Sequence, residues 1–185
     1  MPAVNICAAN DWMWNPYSIT KKAAERFALM FNKEFGCQIA LVRGMNVYGP
    51  GQKAAPVRKI MPNLIGPALE GEPIRIFGDG EQVMDMIFVE DVAEIMCRAL
   101  LMDHGNYKMV MDAGTGRRTT ENQLAELVIE ITGSSSKIEH LPMRPGEPEH
   151  SEVLGDPATL APLAFFPDDL LPLEDGVKRT VASYW

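Results

Sequence analysis

The sequence predicts an α/β fold, and two observations support this prediction. Segments with helical periodicity alternate with short apolar runs along most of the 185 residues, which favours an α/β or α+β architecture over an all-β fold or a helical bundle. Hydrophobic residues make up 46% of the chain and charged residues 23%, so the chain can bury a core and is unlike fibrous, collagenous or disordered proteins. No repeat or linker divides the sequence, and we treat residues 1–185 as a single domain.

The longest predicted helix extends from Asn15 to Phe35. Asn15 is a suitable capping residue, Pro16 suits the first helical position, and Gly36 ends the segment. Small and apolar side chains recur along the segment at steps of three and four residues, as expected for one face of a helix. The residues of this face are Thr20, Ala23, Ala24, Phe27, Ala28, Phe31 and Phe35.

The other elements follow in chain order. Short apolar runs bounded by turn residues predict strands at Gln38–Arg43, Ile74–Phe77, Met86–Val89 and Tyr107–Met111 and near Ile138. Helical patterns are found at about Arg58–Glu70, Glu90–Met102, Thr120–Thr132 and Leu173–Tyr184. We predict a loop at 44–53 and an irregular stretch over 134–172, which is rich in proline.

Charge and cysteine content exclude several function classes. Seventeen Lys and Arg stand against 25 Asp and Glu, so the net charge of −8 disfavours nucleic acid as a partner. The three cysteines, Cys7, Cys37 and Cys97, are an odd number and indicate buried thiols in a reducing, cytoplasmic compartment. Residues 1–16 do not have the pattern of a secretory signal, and no apolar run reaches the length of about 18 residues needed to span a bilayer. We therefore expect a protein that is neither secreted nor integral to a membrane.

Most common catalytic motifs are absent from the sequence. His104, His140 and His150 are far apart and have no ligand partner at helical or hairpin spacing, so no metal site is predicted. Neither a nucleophile elbow, a Walker loop nor a zinc-protease motif is present. The segment Gly114-Thr-Gly116 begins like a dinucleotide-binding turn but has Thr119 where the last glycine belongs, so we reject it as a phosphate-binding turn.

Tyr17 and Lys21 are the candidate catalytic residues in the sequence. Their four-residue spacing at the start of the longest helix puts the phenol and the ammonium group on one face, about one turn apart. A nearby cation favours the phenolate form of a tyrosine, which can then exchange a proton with an alcohol. The alternative interpretation is that both are solvated polar residues of a first helical turn.

Several motifs in the correct order resemble the extended short-chain dehydrogenase/reductase family, the NAD-dependent epimerases and dehydratases of nucleotide sugars. The resemblance covers nearly all of residues 14–185. Its motifs are Asn15-Pro-Tyr-Ser-Ile-Thr-Lys-Lys-Ala-Ala-Glu25, Leu41-Val-Arg-Gly-Met-Asn-Val-Tyr-Gly-Pro50, Gly78-Asp-Gly-Glu-Gln82, Asp85-Met-Ile-Phe-Val-Glu-Asp-Val92, Asp112-Ala-Gly-Thr-Gly116, Arg144-Pro-Gly146 and Asp175-Gly-Val-Lys-Arg-Thr180.

The resemblance implies a fold, a cofactor and a catalytic pair. The fold would be the C-terminal part of a doubly wound, Rossmann-like sheet, together with a small α/β lobe that binds the substrate. Tyr17 would act as acid and base on a sugar hydroxyl or ketone, and Lys21 would favour its phenolate and hold the nicotinamide ribose. Gly44 and Met45 would lie beside the cofactor, which would be NAD or NADP.

The resemblance also implies a nucleotide sugar as the substrate. Asn46 would contact the sugar-nucleotide phosphates, and Arg144 would pair with the diphosphate. Arg75 and Phe77 would lie near the base. A guanidinium group suits this role because it binds phosphate oxygens in a fork.

Three departures from the family pattern qualify these expectations. The glycine-rich βαβ half of the family is expected to be absent, so cofactor binding would need a complementing N-terminal half, and 1–185 would be a partial domain. Residues 1–16 contain no Ser or Thr, so the hydroxyl that normally precedes the tyrosine is missing. Met84 stands where the family usually has an arginine before Asp85, which removes one diphosphate contact.

Two functions remain open at this point. The first is the substrate-binding and Tyr/Lys portion of an NAD-dependent nucleotide-sugar epimerase or dehydratase. The second is a truncated, inactive relative that acts as a binding or dimerisation module. In either case, the alanine and phenylalanine side chains on the first helix predict association with a second copy or with a complementing chain.

Overall fold

The computed structural model describes residues 3–7, 16–57, 59–102, 109–144 and 150–184. Within these ranges the helices are α1 (Pro16–Phe35), α2 (Ile60–Glu70), α3 (Val89–Leu101), α4 (Glu121–Thr132) and α5 (Leu173–Ala182). The strands are β1 (Ala3–Cys7), β2 (Ile39–Gly44), β3 (Asn46–Tyr48), β4 (Ile74–Phe77), β5 (Val83–Met84), β6 (Met86–Phe88), β7 (Val110–Ala113), β8 (Thr119–Thr120), β9 (Ile138–Leu141) and β10 (Glu152–Val153). The predicted α/β fold is confirmed.

The main sheet consists of three parallel strands in the order β1-β2-β7. Helix α1 connects β1 to β2, as expected for a parallel connection. At the carboxyl end of the sheet, Gly44 pairs with Ala113. Strand β7 begins at Val110 and ends at Ala113, so the predicted strand at 107–111 is shifted, and its first two residues lie outside the described ranges.

Helix α1 begins and ends at the predicted positions. Pro16 is its first residue, and the Thr20 hydroxyl donates to the Pro16 carbonyl over 2.8 Å. Gly36 follows the helix with a φ of 62°, a left-handed conformation that glycine adopts without strain. Just before this end, the Asn32 side chain forms two hydrogen bonds with the main chain of Ile39, which joins the end of α1 to the start of β2. The predicted cap Asn15 lies outside the described residues.

The second half of the fold is built from short strands. Strands β3 and β6 pair in parallel, as do β4 and β9, whereas β5 lies between β10 and β8. Strand β3 falls within 44–53, so the prediction of a loop over that whole range is wrong. Its three residues are too few for a local pattern, and they form a strand because Met86–Phe88 supplies the pairing partner.

Two apolar clusters form most of the described core. One lies between the main sheet, α3 and the segment 160–170, and it includes Val42, Ile87, Ile95, Met111 and Leu160. The other joins α2, α4 and α5 to β4 and β6, and it includes Tyr48, Met61, Ile76, Leu124 and Val177. Helix α4 begins with a capping box between Thr120 and Gln123 and ends at Gly133, in agreement with the predicted helix.

Two expectations about surface and core differ from the structure. Cys97 is exposed and Cys37 is partly exposed, so the predicted burial of these thiols is wrong, and the side chain of Cys7 lies outside the described part of the structure. On α1, Ala28 was expected on the same face as Phe27, Phe31 and Phe35. Instead, Ala28 is buried against Leu41, whereas the three phenylalanines are exposed.

None of the described helices is long and apolar enough to cross a membrane.

Candidate functional site

Tyr17 and Lys21 lie on the first two turns of α1. The Tyr17 side chain is 60% exposed, and the Lys21 ammonium nitrogen lies 5.9 Å from the centroid of its ring. The helical spacing therefore brings the phenol and the cation together on an accessible surface. Such a surface leaves room for a ligand to approach the hydroxyl.

Helix α1 is fixed to the end of β2 by an ion pair that the sequence did not reveal. Both carboxylate oxygens of Glu25 accept from Arg43, one from Nε and one from Nη2, each over 3.0 Å. Glu25 is buried and also accepts from Lys22 over 3.2 Å. Burial raises the pKa of the Glu25 carboxyl, but the hydrogen bonds and charges of Arg43 and Lys22 outweigh it and hold this pKa below its usual value.

The same arginine reaches the neighbouring strand. Its Nη1 atom lies 3.8 Å from Oδ1 of Asp112 on β7. Burial raises the pKa of Asp112, although the hydrogen bond from the Asp156 main chain and the charge of Arg43 oppose this effect. Arg43 therefore links α1 to the carboxyl ends of two strands of the main sheet.

The direction of α1 follows from its two contacts with β2. Asn32, near the end of the helix, bonds to Ile39 at the start of the strand, whereas Glu25 bonds to Arg43 near the strand's end. Helix and strand are therefore antiparallel, and the turns that carry Tyr17 and Lys21 lie toward the carboxyl end of the sheet. In open α/β sheets, ligands bind at this end.

Gly44, Met45 and Asn46 leave the main sheet at the same end. The main chain of Met45 donates to Ala113 over 3.0 Å, and that of Asn46 donates to Asp85 over 2.9 Å. Asn46 is half-buried, whereas the Met45 side chain is buried. A Cβ atom at Gly114 would lie 2.6 Å from Cγ of Met45, so glycine is needed there to accommodate the methionine.

Asp85 holds this region together and was not singled out as a site residue. Its buried carboxylate accepts from the Thr115 main chain over 2.7 Å, the Thr115 hydroxyl over 2.6 Å, and the main chains of Gly116 and Gly155 over 2.9 and 3.0 Å. Four hydrogen bonds satisfy a charge that burial would otherwise penalise. The one sequence signal is an acid placed between the apolar strands β5 and β6.

Phe77 and Arg144 form a second cluster. The Arg144 guanidinium carbon lies 4.0 Å from the centroid of the Phe77 ring, the contact of a stacked cation–π pair. Arg75 lies two residues earlier on β4, and therefore on the same face, but it is 67% exposed and its Nε is 3.7 Å from Oε2 of Glu139. The structure thus joins Phe77 to Arg144 and leaves Arg75 at the surface.

A cavity of about 450 Å³ lies next to this cluster. It is lined by Gly78, Asp79, Leu141, Pro142, Met143 and His150. Asn122, on the first turn of α4, fixes the turn beside the cavity, because its amide donates to the Asp79 carbonyl over 2.9 Å and to Glu81 over 2.7 Å. His140 completes the arrangement with a 2.9 Å hydrogen bond to Oδ1 of Asn122, whose amide nitrogen is already a donor.

The described ranges contain no candidate metal-binding site. In these ranges, no group of three or more His, Cys, Asp or Glu side chains is placed to hold a metal ion. His140 and His150 instead contact Asn122 and Asp79 respectively.

Comparison with known proteins identifies the family. The model of the NAD dependent epimerase/dehydratase family matches residues 13–112, which contain Tyr17, Lys21, the end of β2 and Asp85. The chain belongs to this family. The resemblance of its motifs to the NAD-dependent epimerases and dehydratases is thereby confirmed.

Several family members are similar over most of this chain. A trifunctional UDP-glucose 4,6-dehydratase/UDP-4-keto-6-deoxy-D-glucose 3,5-epimerase/UDP-4-keto-L-rhamnose-reductase of Arabidopsis thaliana is 31% identical over 92% of the chain and 24% of its own length. A dTDP-4-dehydro-6-deoxy-D-allose reductase of Streptomyces bikiniensis is 33% identical over 90% of the chain and 49% of its length. The chain thus spans about half, or less, of the length of these curated relatives.

A solved structure shows the same fold. The UDP-glucose 4-epimerase of Thermotoga maritima, crystallised with UDP-glucose, superposes with a TM-score of 0.86 at 30% identity. The match covers 98% of this chain and 62% of the Thermotoga chain. The Rossmann-like α/β class of this family member is therefore established, while the roles of its individual site residues remain predictions.

Proposed function

We propose that this chain is the substrate-binding and Tyr/Lys portion of an NAD-dependent nucleotide-sugar epimerase or dehydratase. One observation carries the proposal. Tyr17 and Lys21 lie together on an accessible part of α1, and the Glu25–Arg43 pair fixes that helix at the carboxyl end of the main sheet. A hydroxyl that exchanges protons is useful only where a ligand binds, and this end of the sheet is where ligands bind in such folds.

The donor set suits a nicotinamide cofactor. A phenol hydroxyl and an ammonium group stand next to each other, and both can donate hydrogen bonds to ribose hydroxyls. When bound, the cofactor would accept and return a hydride. Met45 would contribute its main chain rather than its side chain, because the side chain is buried in the core.

The chain's own contribution is proton transfer and orientation. Tyr17 Oη would take the proton from a sugar hydroxyl as the hydride leaves the same carbon, and would return it when the carbonyl is reduced. The ammonium group of Lys21 would stabilise the phenolate, which exists before the first of these steps and again after the second. The Glu25–Arg43 pair would hold both groups in place relative to the residues at 44–46.

The nucleotide would bind at the second cluster. Phe77 and the adjoining cavity offer an apolar surface for a base, and the Arg144 guanidinium can bind phosphate oxygens in a fork. Asn46 would add an amide to the phosphate contacts. Support comes from the Thermotoga relative, whose structure contains UDP-glucose.

The proposed assembly is a pair of chains in contact through α1. Ile19, Phe27, Phe31 and Phe35 expose between 43% and 68% of their surface, and the Phe31 and Phe35 rings lie 5.4 Å apart. A second copy or a complementing chain would cover them and remove apolar surface from water.

Titration with UDP-glucose of the purified chain, and with NAD⁺ of the chain supplied with the N-terminal half of a family member, tests this function. The expected result is calorimetric binding of both ligands, with sugar epimerisation or dehydration by the complemented pair that depends on Tyr17. Binding of UDP-glucose without NAD⁺ binding or turnover would instead favour the second candidate, an inactive binding or dimerisation module. Absence of UDP-glucose binding contradicts the proposed function.

A further inference from the structure

We propose that a second cavity, between the start of α4 and the segment before α5, binds a small carboxylate that has an apolar body. None of the residues that line this cavity is a proposed contact of the cofactor, the sugar or the nucleotide. The inference is therefore independent of the proposed function.

The lining of the cavity combines an apolar surface with two positive charges. The volume of about 400 Å³ lies within the range of about 300–1,000 Å³ that is common for small-ligand sites. An alkyl or aryl body suits the apolar part, and a carboxylate suits the guanidinium groups. The apolar lining residues are Met86, Leu127, Leu170, Leu171 and Leu173, and the polar ones are Thr115, Arg117, Arg118, Thr119 and Gln123.

Hydrogen bonds hold two walls of the cavity in place. On one side, the Asp85 carboxylate accepts from the Thr115 main chain over 2.7 Å and from the Thr115 hydroxyl over 2.6 Å. On the other side, the Leu171 main chain donates to the Asp91 carboxylate over 3.0 Å. A ligand therefore meets a preformed cavity, and its affinity is not reduced by the ordering of these walls.

Arg117 supplies a positive charge that is available to an anion. Its side chain is exposed, and within the described part of the chain it has no carboxylate partner. None of the described Asp and Glu side chains lines the cavity. Because a guanidinium group binds a carboxylate in a fork of two hydrogen bonds, Arg117 can hold the charged end of the ligand while the leucines contact its body.

Glu152 competes with the ligand for the second arginine. The guanidinium of Arg118 donates to the carboxylate of Glu152, on β10, and both side chains are about half-exposed. An exposed ion pair of this kind changes an equilibrium by about five-fold or less, so a ligand carboxylate can replace Glu152. Removal of the Glu152 charge should therefore favour binding, because Arg118 becomes available and a nearby repulsive charge is lost.

An NMR titration with acetate, hexanoate, octanoate and hexan-1-ol tests the chemistry of the ligand. Each buried methylene should tighten binding about three- to four-fold, so octanoate should bind about ten-fold more tightly than hexanoate. Acetate lacks the apolar body and hexan-1-ol lacks the charge, so both should bind more weakly than hexanoate.

Variants with matched controls place octanoate in the cavity. Arg117→Ala should weaken octanoate at least about three-fold, whereas Arg26→Ala, which removes an exposed arginine of α1, should leave its affinity unchanged. Glu152→Gln should strengthen octanoate at least about two-fold, and adding Arg118→Ala should abolish this gain. Glu139→Gln removes the same charge from another exposed ion pair and should have no effect. Thermal denaturation confirms that each variant is folded.

Several outcomes would overturn the inference. Equal affinities for hexanoate and hexan-1-ol would show that the carboxylate is not recognised. Loss of octanoate binding in Phe27→Ser combined with Phe31→Ser would place the ligand on α1 instead. Displacement of octanoate by UDP-glucose would show that the two ligands share one site. If the unaltered chain binds no octanoate, this inference fails while the proposed function, which the UDP-glucose titration tests separately, is unaffected.

Discussion

Glu25, on the helix that carries Tyr17, binds Arg43 through both of its carboxylate oxygens, although the two residues are 18 positions apart. Glu25→Gln should destabilise the fold by about 1–3 kcal/mol, because the partly exposed Arg43 guanidinium loses its charge complement at the buried position 25. Urea unfolding measures the change. Lys22→Gln is the control, since it removes the more exposed cation of the same group and should cost less than about 1 kcal/mol. Equal losses of unfolding free energy in the two variants would contradict the prediction, because the Arg43 contact would then contribute no more than the Lys22 contact.

The Glu25 carboxyl also predicts how stability depends on acidity. Its pKa is lower in the folded chain than its usual value of 4.5, so its ionised form stabilises the fold. That contribution is fully present above the usual pKa and is lost as the pH falls through the folded value. The difference in unfolding free energy between the unaltered chain and Glu25→Gln should therefore shrink from about pH 7 to about pH 3. A difference that stays constant over this range would contradict the prediction.

Tyr17→Phe tests the proposed acid/base. In the chain supplied with a complementing N-terminal half, turnover should fall at least about 100-fold, because general acid/base groups commonly contribute that much. Cofactor affinity should change little, because cofactor binding rests mainly on other contacts. The measurements are kcat and a calorimetric titration with NAD⁺, both on the complemented enzyme. Tyr184→Phe, which removes a hydroxyl near the end of α5, is the matched control and should leave both values intact. Retention of more than about a tenth of kcat in Tyr17→Phe would refute the catalytic role.

Alanine has a higher helix propensity than glycine, but at position 176 we expect its extra methyl group to disrupt packing. It lies within α5, and a Cβ atom there would overlap the Tyr48 hydroxyl and come within 3.1 Å of the Phe88 ring. Gly176→Ala should therefore destabilise the fold by about 1–3 kcal/mol. The control is Gly66→Ala in α2, where a Cβ atom would meet nothing within 4 Å and where stability should stay within about 1 kcal/mol of the starting value. Thermal or urea unfolding of both variants decides the matter.

The exposed phenylalanines of α1 predict self-association. Static light scattering at about 100 µM should show a dimer or a larger species, because large apolar interfaces usually bind well below this concentration. Phe27→Ser combined with Phe31→Ser should return the chain to a monomer. Phe166→Ser removes a phenylalanine that is 53% exposed outside α1, and it should have no effect. A monomeric unaltered chain would refute this interface.

Capping and helix-ending residues in the sequence predicted where α1 and α4 begin and end. Pro16 and Gly36 bound α1, and the Thr120 cap begins α4, because each acts on its own neighbours in sequence. The short strands β3 and β5 carry no such signal and exist because a distant segment pairs with each of them. The prediction of the site was limited for the same reason.

Within the site, Tyr17 and Lys21 were found because one turn of helix separates them. Contacts between distant parts of the chain were not found. Arg144 lies 67 positions after Phe77, and neither the stacking of this pair nor the bonding of Asp85 can be inferred from spacing along the chain. Burial of the Met45 side chain between segments around Gly114 and Gly155 is a further case, since it depends on how three segments pack.

The carboxylate of Asp85 bonds to main-chain groups 30, 31 and 70 positions further along the chain. An exchange of segments with another family member has to preserve these bonds. A crossover anywhere between residues 86 and 154 would separate the acid from at least one of its donors and join it to a loop shaped by another sequence. Chimeras should therefore keep Asp85 and the segments around Gly116 and Gly155 from one parent, with the crossovers placed outside that range.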